Sequence, residues 1–125
     1  MKLLIINILF FFSVASAQST SKYLIYFKDK GVDVSSQLQK SSHEYANAIS
    51  SLSQRSIERR KKTLGNEFIT EEDLLIADKY IQEVENFGIK IIQKLKWFNA
   101  VSAFLTDSQV QQFKKLDFIK KIEIV

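Results

Sequence analysis

The chain has 125 residues, of which 46% are hydrophobic and 26% charged, and it carries a formal net charge of +4, no cysteine and one histidine. This composition is typical of a globular domain and excludes the disordered, collagen-like and disulfide-stabilised classes. Without cysteine there is no thiolate catalysis, cysteine-ligated zinc or iron–sulfur cluster, and one histidine leaves a catalytic triad nearly without candidates. We therefore expect no catalytic residues, no metal site and no cofactor.

The N-terminal residues have the pattern of a secretory signal peptide. Lys2 precedes an apolar run over residues 3–12, and small residues lead up to Ala17. This pattern predicts cleavage between Ala17 and Gln18, which makes residues 1–17 a signal peptide and residues 18–125 the secreted mature domain. The alternative is a retained membrane anchor, but the run is short because spanning a bilayer takes about 20 apolar residues.

The first part of the mature chain predicts a strand followed by a helical insertion. Aromatic and branched residues over 22–28 predict the strand. Residues 32–51 are polar and serine-rich, and they predict a loop with at most weak helix. Ser53 is placed to cap a helix over 54–62. We assign residues 32–72 to the insertion as a whole.

A basic cluster lies within the insertion. Five basic residues fall between Arg55 and Lys62, and acidic residues follow at Glu67 and from Glu71 onward. Such a cluster can mark a site for nucleic acid or an anionic membrane, but a secreted protein seldom meets nucleic acid. We interpret the cluster as a solvated helix face paired with acidic neighbours, and we expect no nucleic-acid partner.

The second half of the chain predicts a helix and then a strand. Its apolar residues recur with helical spacing, and Gly88 follows where a left-handed C-terminal cap is expected. Residues 89–95 then alternate charged and branched aliphatic side chains, which indicates a strand. The apolar stripe of the helix consists of Ala77, Tyr80, Ile81, Val84 and Phe87.

The last three elements are predicted as strand, helix and strand. Residues 100–105 form the next strand, and Thr106 with Gln109 makes a capping box for a second helix. Residues 119–125 read as a closing strand. The element order predicts an α+β fold of the ferredoxin-like split βαβ type, with a four-stranded antiparallel sheet, two main helices on one face and an extra helical insertion after the first strand.

The predicted strands carry apolar residues on both faces. Val101 and Phe104, for example, point to opposite sides of the same strand. Because two helices cover only one face, the other face needs a partner, unless the insertion folds back over it. Alternation alone does not say which of these two residues points outward, since a slip of one residue in register exchanges the faces.

Several segments also carry a family resemblance. The run over 96–102, the residues 106–109 and the stretch 114–123 resemble, in order and spacing, the propeptides of secreted bacterial subtilisin-like serine proteases (subtilases). Residues 22–31 and 52–60 are similar to the start and the arginine-rich insert of one bacterial branch of that family. The sequence departs from the branch at Leu75, where proline is usual, and no catalytic segment follows Val125.

The resemblance implies a domain that helps a subtilisin-like catalytic domain to fold, in cis or in trans, and inhibits it until cleaved. The open sheet face would contact the protease, and a tail starting near Ile122 would enter its substrate cleft. The alternative is a stand-alone secreted ferredoxin-like binding module or protease inhibitor, and under either interpretation this chain is not itself an enzyme. The residues expected to contact the protease are Asn99, Val101, Phe104, Ile122, Ile124 and Val125.

Three further side chains invite a functional interpretation. His43 is the only imidazole, and we expect it to be solvent-exposed in the serine-rich loop. Trp97 and Phe98 could stack on a ligand, but we favour a turn that packs against the core or a partner.

Overall fold

In the computed structural model, residues 17–31 and 33–125 are described. These residues form one four-stranded sheet, five helices and two short 3₁₀ turns. The strands are β1 (Ser21–Phe27), β2 (Ile91–Leu95), β3 (Ala100–Leu105) and β4 (Ile119–Ile124); the helices are α1 (Val34–Gln37), α2 (His43–Ser50), α3 (Gln54–Leu64), α4 (Asp78–Asn86) and α5 (Asp107–Phe113); the 3₁₀ turns are Glu71–Asp73 and Lys96–Phe98.

The sheet has the strand order β2-β3-β1-β4, and every neighbouring pair is antiparallel. β1 therefore lies beside β3 and β4, while α4 and α5 lie in the two crossover connections between non-adjacent strands. This is the arrangement of a ferredoxin-like split βαβ fold, so the predicted fold class is confirmed.

The main core lies between the sheet and the helices α4 and α5. On the central strand, Ile25 stands opposite Val101 on one side and Ile122 on the other, and all three side chains pack in this core. Tyr80 and Phe113 contribute to it from the two helices. Alternate strand positions thus point toward the helices, and the positions between them point to the opposite, outer face.

Both main helices begin and pack as the sequence indicates. The Thr106 side chain accepts a hydrogen bond from the Gln109 backbone N–H (3.2 Å), and the Gln109 side chain accepts one from the Thr106 N–H (2.9 Å). This capping box starts α5, which buries Val110 and Phe113. α4 buries Tyr80, Ile81 and Val84 of the predicted stripe.

The insertion has a small core of its own and more helix than predicted. α1 and α2 occupy much of the segment expected to be a loop, and Ser42 caps α2 by accepting a hydrogen bond from Tyr45 N–H (3.0 Å). That loop prediction was therefore wrong, because polar side chains on the exposed side of α2 hid its buried residues. The buried residues of this core are Tyr45, Ala48, Phe68 and Ile69.

The helix predicted over residues 54–62 is confirmed as α3 and extends slightly further than expected. Ser53 caps α3 by accepting a hydrogen bond from the Ser56 N–H (3.2 Å), and the helix runs to Leu64 before Gly65. Leu52 and Ile57, on either side of the cap, pack against the core of the insertion.

A tight turn leads out of β1 and requires glycine. The Asp29 carboxylate accepts hydrogen bonds from Gly31 N–H and from the Tyr80 hydroxyl, both at 2.6 Å. The hydrogen bond from the Tyr80 hydroxyl lowers the pKa of Asp29. Burial and the same hydrogen bond raise the pKa of Tyr80 to about 12. Gly31 has φ +74°, and a Cβ there would lie 2.5 Å from Ala77 Cβ, so a side chain would force the turn and α4 apart.

The predicted signal peptide lies outside the described residues except for Ala17, which is exposed like Gln18. Its cleavage therefore stays a prediction. Among the helices of the described ranges, none is long and apolar enough to cross a membrane.

Candidate partner-binding surface

The outer face of the sheet is the surface that α4 and α5 leave uncovered. Strand register assigns residues to it, because side chains directly opposite each other point to the same side of the sheet. Lys22 pairs with Phe104, and Leu24 pairs with Ser102, so these positions alternate with the core residues of β1 and β3. We define the outer face as Lys22, Leu24, Tyr26, Leu95, Ala100, Ser102, Phe104, Lys121 and Glu123.

Some of the apolar side chains on the outer face are open to solvent, although Ala100 at its centre is buried. Phe104 is 55% exposed, while Leu24 and Tyr26 are half-buried. At the β2 edge, Ile92 lies at the β-bulge beside Gln93 and is also exposed. The helices of the insertion therefore do not cover this part of the face, and the expectation that a partner layer is missing is consistent with this exposure.

A small polar network lies on the outer face at the β4 side. Lys121 Nζ is 2.7 Å from Glu123 Oε1 and 4.4 Å from the centre of the Tyr26 ring. Burial and the Glu123 carboxylate raise the pKa of Tyr26, and the Lys121 ammonium lowers the pKa of Glu123. The phenol thus stays neutral and the carboxylate charged at neutral pH, next to an exposed apolar surface.

The C-terminal residue continues the sheet. Val125 donates its N–H to the Lys22 carbonyl (3.0 Å), which extends the β1–β4 ladder by one residue beyond Ile124. On its other side, Lys22 of β1 pairs with Phe104 of β3. Val125 therefore lies at the same end of the sheet as the exposed phenylalanine. The predicted tail therefore does not begin near Ile122, because Ile122 and Ile124 are part of β4.

Two of the predicted contact residues belong to the core. Val101 has no exposed surface and packs with Ile25, and Ile122 is partly buried against the same core. This corrects the expectation for both positions, because the observed register turns their side chains toward the helices. Phe104 carries the outward parity, whereas Ile124 is 67% exposed but lies on the helix side, opposite Tyr23.

Asn99 holds the β2–β3 turn in place. It adopts a left-handed conformation (φ 49°), and its side-chain amide donates to the carbonyls of Phe27 (3.3 Å) and Asp29 (2.6 Å). Its donor group is thus used inside the chain, and its contact with a partner stays a prediction. The neighbouring Trp97 and Phe98 lie in a turn, as predicted, but both rings are exposed and neither is buried in the core.

Two buried charged residues to which the sequence analysis gave no role hold the insertion in place. Asp73 ties α3 to the segment that follows the insertion, and Lys30 ties that segment to the β2–β3 turn. Asp73 is buried and its carboxylate lies 2.7 Å from the Arg60 guanidinium. Burial raises the pKa of Asp73, but hydrogen bonds from Arg60 and Thr70 outweigh it, so the pKa lies below its usual value. The predicted pairing of the basic cluster with acidic neighbours is thus observed for Arg60, and the only advance signal was the closeness of the two charge runs.

The second of these residues is Lys30, a buried ammonium. It donates hydrogen bonds to the carbonyls of Leu74 (2.9 Å), just after the insertion, and Lys96 (3.0 Å), in the β2–β3 turn. We call this meeting point of the insertion and the β2–β3 turn the junction. Burial lowers the pKa of Lys30. A lysine after a strand gives no sequence signal for this role, since it depends on two distant carbonyls meeting.

The described residues show no arrangement of catalytic groups. His43 is exposed at the start of α2, and no cluster of three or more histidine, aspartate or glutamate residues within the described ranges could hold a metal ion. A cleft of about 520 Å³ lies between the insertion and the start of α4, and its lining includes His43 and Asp78. Ser51 also lines this cleft, but its hydroxyl donates to the Ala48 carbonyl (2.7 Å) and not to a base.

Comparison with known proteins agrees with this picture of a binding domain. A family model described as "Peptidase S8 propeptide domain, Bacteroidota" matches residues 22–125, which include every helix and strand described above apart from Ser21, the first residue of β1. Comparisons with curated proteins and with solved structures found no match. Because the family model covers most of the chain, this protein belongs to the Bacteroidota family of peptidase S8 propeptide domains, and residues 22–125 are a propeptide domain of a subtilisin-like protease and not a catalytic domain.

Proposed function

We propose that the mature domain binds a subtilisin-like catalytic domain through the outer face of its sheet, assists the folding of that domain and inhibits it until the propeptide is cleaved. The observation that carries this proposal is a sheet face on a propeptide fold that exposes Phe104 at one end and carries the half-buried Leu24 and Tyr26 along β1. Burial of such a face against the native protease would stabilise the native form by mass action.

The C-terminal end of the domain supports the inhibitory part of the proposal. Val125 leaves the sheet at the Phe104 end of the outer face, so a protease docked there would meet whatever chain follows. An extended segment can bind a substrate cleft by strand addition, in which main-chain hydrogen bonds give affinity and side-chain pockets give selectivity. Val125 is therefore the first residue that we assign to the inhibitory segment, and Ile124 its anchor in the sheet.

The central test introduces a charge on the outer face. Phe104→Asp should weaken binding to the cognate catalytic domain by at least about thirtyfold, because a carboxylate would be buried among apolar groups. The matched control is Gln111→Asp, which adds the same charge at an exposed position of α5. Unchanged binding and refolding yield with a folded Phe104→Asp variant would overturn the proposal.

The gene sequence downstream of residue 125 would identify the cognate protease and show whether the propeptide acts on it in cis or in trans. Reading the gene beyond Val125 should reveal either a catalytic domain with its Asp, His and Ser residues, which implies action in cis, or a stop codon, which implies action in trans or a stand-alone inhibitor. Refolding of the catalytic domain with and without residues 18–125 then measures folding assistance. A refolding yield that does not depend on the propeptide would rule out that function.

Secretion is the remaining part of the proposal. The chain belongs to a family of protease propeptide domains, and the sequence before Gln18 has the pattern of a signal peptide. Both observations support export from the cell. Expression of the full chain in a bacterium should release a protein whose N-terminal residue is Gln18. Recovery of the intact chain in the membrane fraction would favour a retained anchor.

A further inference from the structure

We infer that Trp97 and Phe98 form a second contact for the protease catalytic domain, and that the insertion acts as a brace that holds this contact in position. We call these two residues the aromatic turn. The inference rests on the proposed function, and it extends the contact beyond the sheet to the β2–β3 connection. It also gives the insertion a role, which docking of the outer face alone does not.

The aromatic turn presents large apolar groups on a rigid support. Trp97 is 50% exposed and Phe98 66% exposed. The backbone beneath them is fixed by the left-handed Asn99, whose amide binds the end of β1. Exposed aromatic residues on a rigid turn lose little conformational entropy on binding, which is typical of residues that dominate the energy of an interface.

The insertion and the residues that flank it contact the aromatic turn at two points. Arg60 of α3 lies with its guanidinium carbon 5.9 Å from the centre of the Trp97 ring, while its ion pair with Asp73 fixes that guanidinium. Separately, Lys30 links the carbonyl of Leu74, just after the insertion, to that of Lys96, just before Trp97. Both ties end at the same turn, so the packing of the insertion sets the position of the tryptophan.

The aromatic turn is continuous with the proposed docking face. A cleft of about 440 Å³ is lined by Tyr26 of the outer face, by Trp97 and Phe98, and by Glu71 at the end of the insertion. A partner that covers Tyr26 therefore reaches this cleft without leaving the surface. The occupant of the cleft is then a part of the same catalytic domain.

The charges around the aromatic rings indicate the chemistry of the partner surface. Lys96 Nζ lies 4.5 Å from the Trp97 ring centre, and Lys121 Nζ lies 4.4 Å from that of Tyr26. Lys28 and Lys120 line the cleft on the sheet side, and the carboxylates of Glu71 and Glu72 line it on the side of the insertion. We expect the protease to offer an apolar patch with carboxylates facing Lys96, Lys28 and Lys120 and none facing Glu71 and Glu72, because opposite charges across an interface attract and like charges repel.

The first experiment uses Trp97 as a probe, because it is the only tryptophan in the sequence. Residues 18–125 are labelled with 5-fluorotryptophan and mixed with the unlabelled cognate catalytic domain, whose nucleophilic serine is replaced by alanine to prevent digestion. The single ¹⁹F resonance should shift and become protected from solvent on binding. A resonance that is unchanged in the saturated complex would overturn the inference, as would a shift that depends only on propeptide concentration, which would indicate a second copy of this chain as the occupant.

The second experiment measures affinity. Trp97→Ala and Phe98→Ala should each weaken binding by about tenfold or more, with little change in melting temperature because both rings are exposed. Leu75→Ala is the matched control, since Leu75 is 66% exposed but lies outside both proposed contacts. If Phe104→Asp abolishes binding and the aromatic variants bind normally, this inference fails alone; if none of them affects binding, the proposed function fails.

The third experiment tests the brace. The double variant Arg60→Met/Asp73→Asn removes the ion pair without leaving a buried charge and keeps a side-chain oxygen to accept the Thr70 N–H, so the insertion should stay folded. We expect binding to weaken by about threefold and acrylamide to quench Trp97 more strongly in the free domain, since the cation over the ring is lost. A variant with unchanged melting, quenching and affinity would show that Arg60 does not position the aromatic turn.

Discussion

The sheet with its two helices and the insertion are stabilised in different ways. The first buries a continuous apolar core that includes Phe27, Val84 and Phe113 with almost no exposed surface. The insertion has only a small cluster around Tyr45 and Phe68, and its attachment relies on polar contacts at the junction. Apolar burial is cooperative and insensitive to pH, whereas a buried ion pair depends on charge and geometry. We therefore expect the two regions to fail under different perturbations.

The largest effect should come from the main core. Phe113→Ala removes a fully buried ring between α5 and the sheet, and we expect a loss of about 3–5 kcal/mol in the free energy of unfolding. Urea unfolding followed by circular dichroism measures it. Both regions should unfold together, and Gln112→Ala on the exposed side of α5 is the control. A loss of less than about 1 kcal/mol in the Phe113 variant would contradict the assignment of this core.

A smaller and more local effect is expected at the junction. Arg60→Ala leaves the buried Asp73 carboxylate without its guanidinium and should cost about 3 kcal/mol. Amide hydrogen exchange should increase in α2 and α3 while β1 and β3 stay protected. Arg59→Ala, an exposed neighbour on the same helix, should leave exchange unchanged. Uniform destabilisation of the whole domain would show that the insertion is not a separate unit.

Acid should separate the two regions without any mutation. Because the folded-state pKa of Asp73 is depressed, its contribution to stability is present above the unfolded value of about 3.9 and is lost as pH falls through the folded value. We expect exchange protection of the insertion to decrease below about pH 4 before that of the sheet. In Asp73→Asn this selective decrease should disappear. A simultaneous loss in both regions would contradict the prediction.

The smallest effect compares one capping interaction in each region. Ser53→Ala and Thr106→Ala both remove a side chain that accepts an N-terminal hydrogen bond, at a cost of about 1 kcal/mol each. The Thr106 variant should lower the melting temperature of the main core, while the Ser53 variant should act only on exchange in α3. Equal effects of both variants on global melting would mean that the regions unfold as one.

Local signals explain which elements were predictable. The capping box at Thr106 and the apolar stripe of α4 are short-range patterns, and both helices were found where these patterns placed them. α2 was missed, although Tyr45, Ala48, Ile49 and Leu52 recur at helical spacing within the serine-rich segment. Polar neighbours on its exposed side made a helix look like a loop. The error was to give the serine-rich composition more weight than the helical spacing of the apolar residues.

The candidate site was less predictable than the fold. Both faces of the sheet carry apolar residues, so alternation placed Val101 and Phe104 on opposite sides without saying which side was covered. The register with β1, together with the packing of α4 and α5, decides that Phe104 is outward. The Arg60–Asp73 pair and the Lys30 contacts were also out of reach, because each depends on segments that meet only when the chain folds.

The sequence by itself determined the class of fold, the two main helices, the closing strand and the resemblance to subtilisin-like propeptides, because spacing, caps and motif order are local properties. Only the tertiary structure decided which sheet face is open, that Val101 and Ile122 pack in the core, and how the insertion is attached. The physical reason is that exposure and charge pairing are properties of contacts between distant segments. These contacts place Phe104 and the aromatic turn on the surface where a partner can reach them.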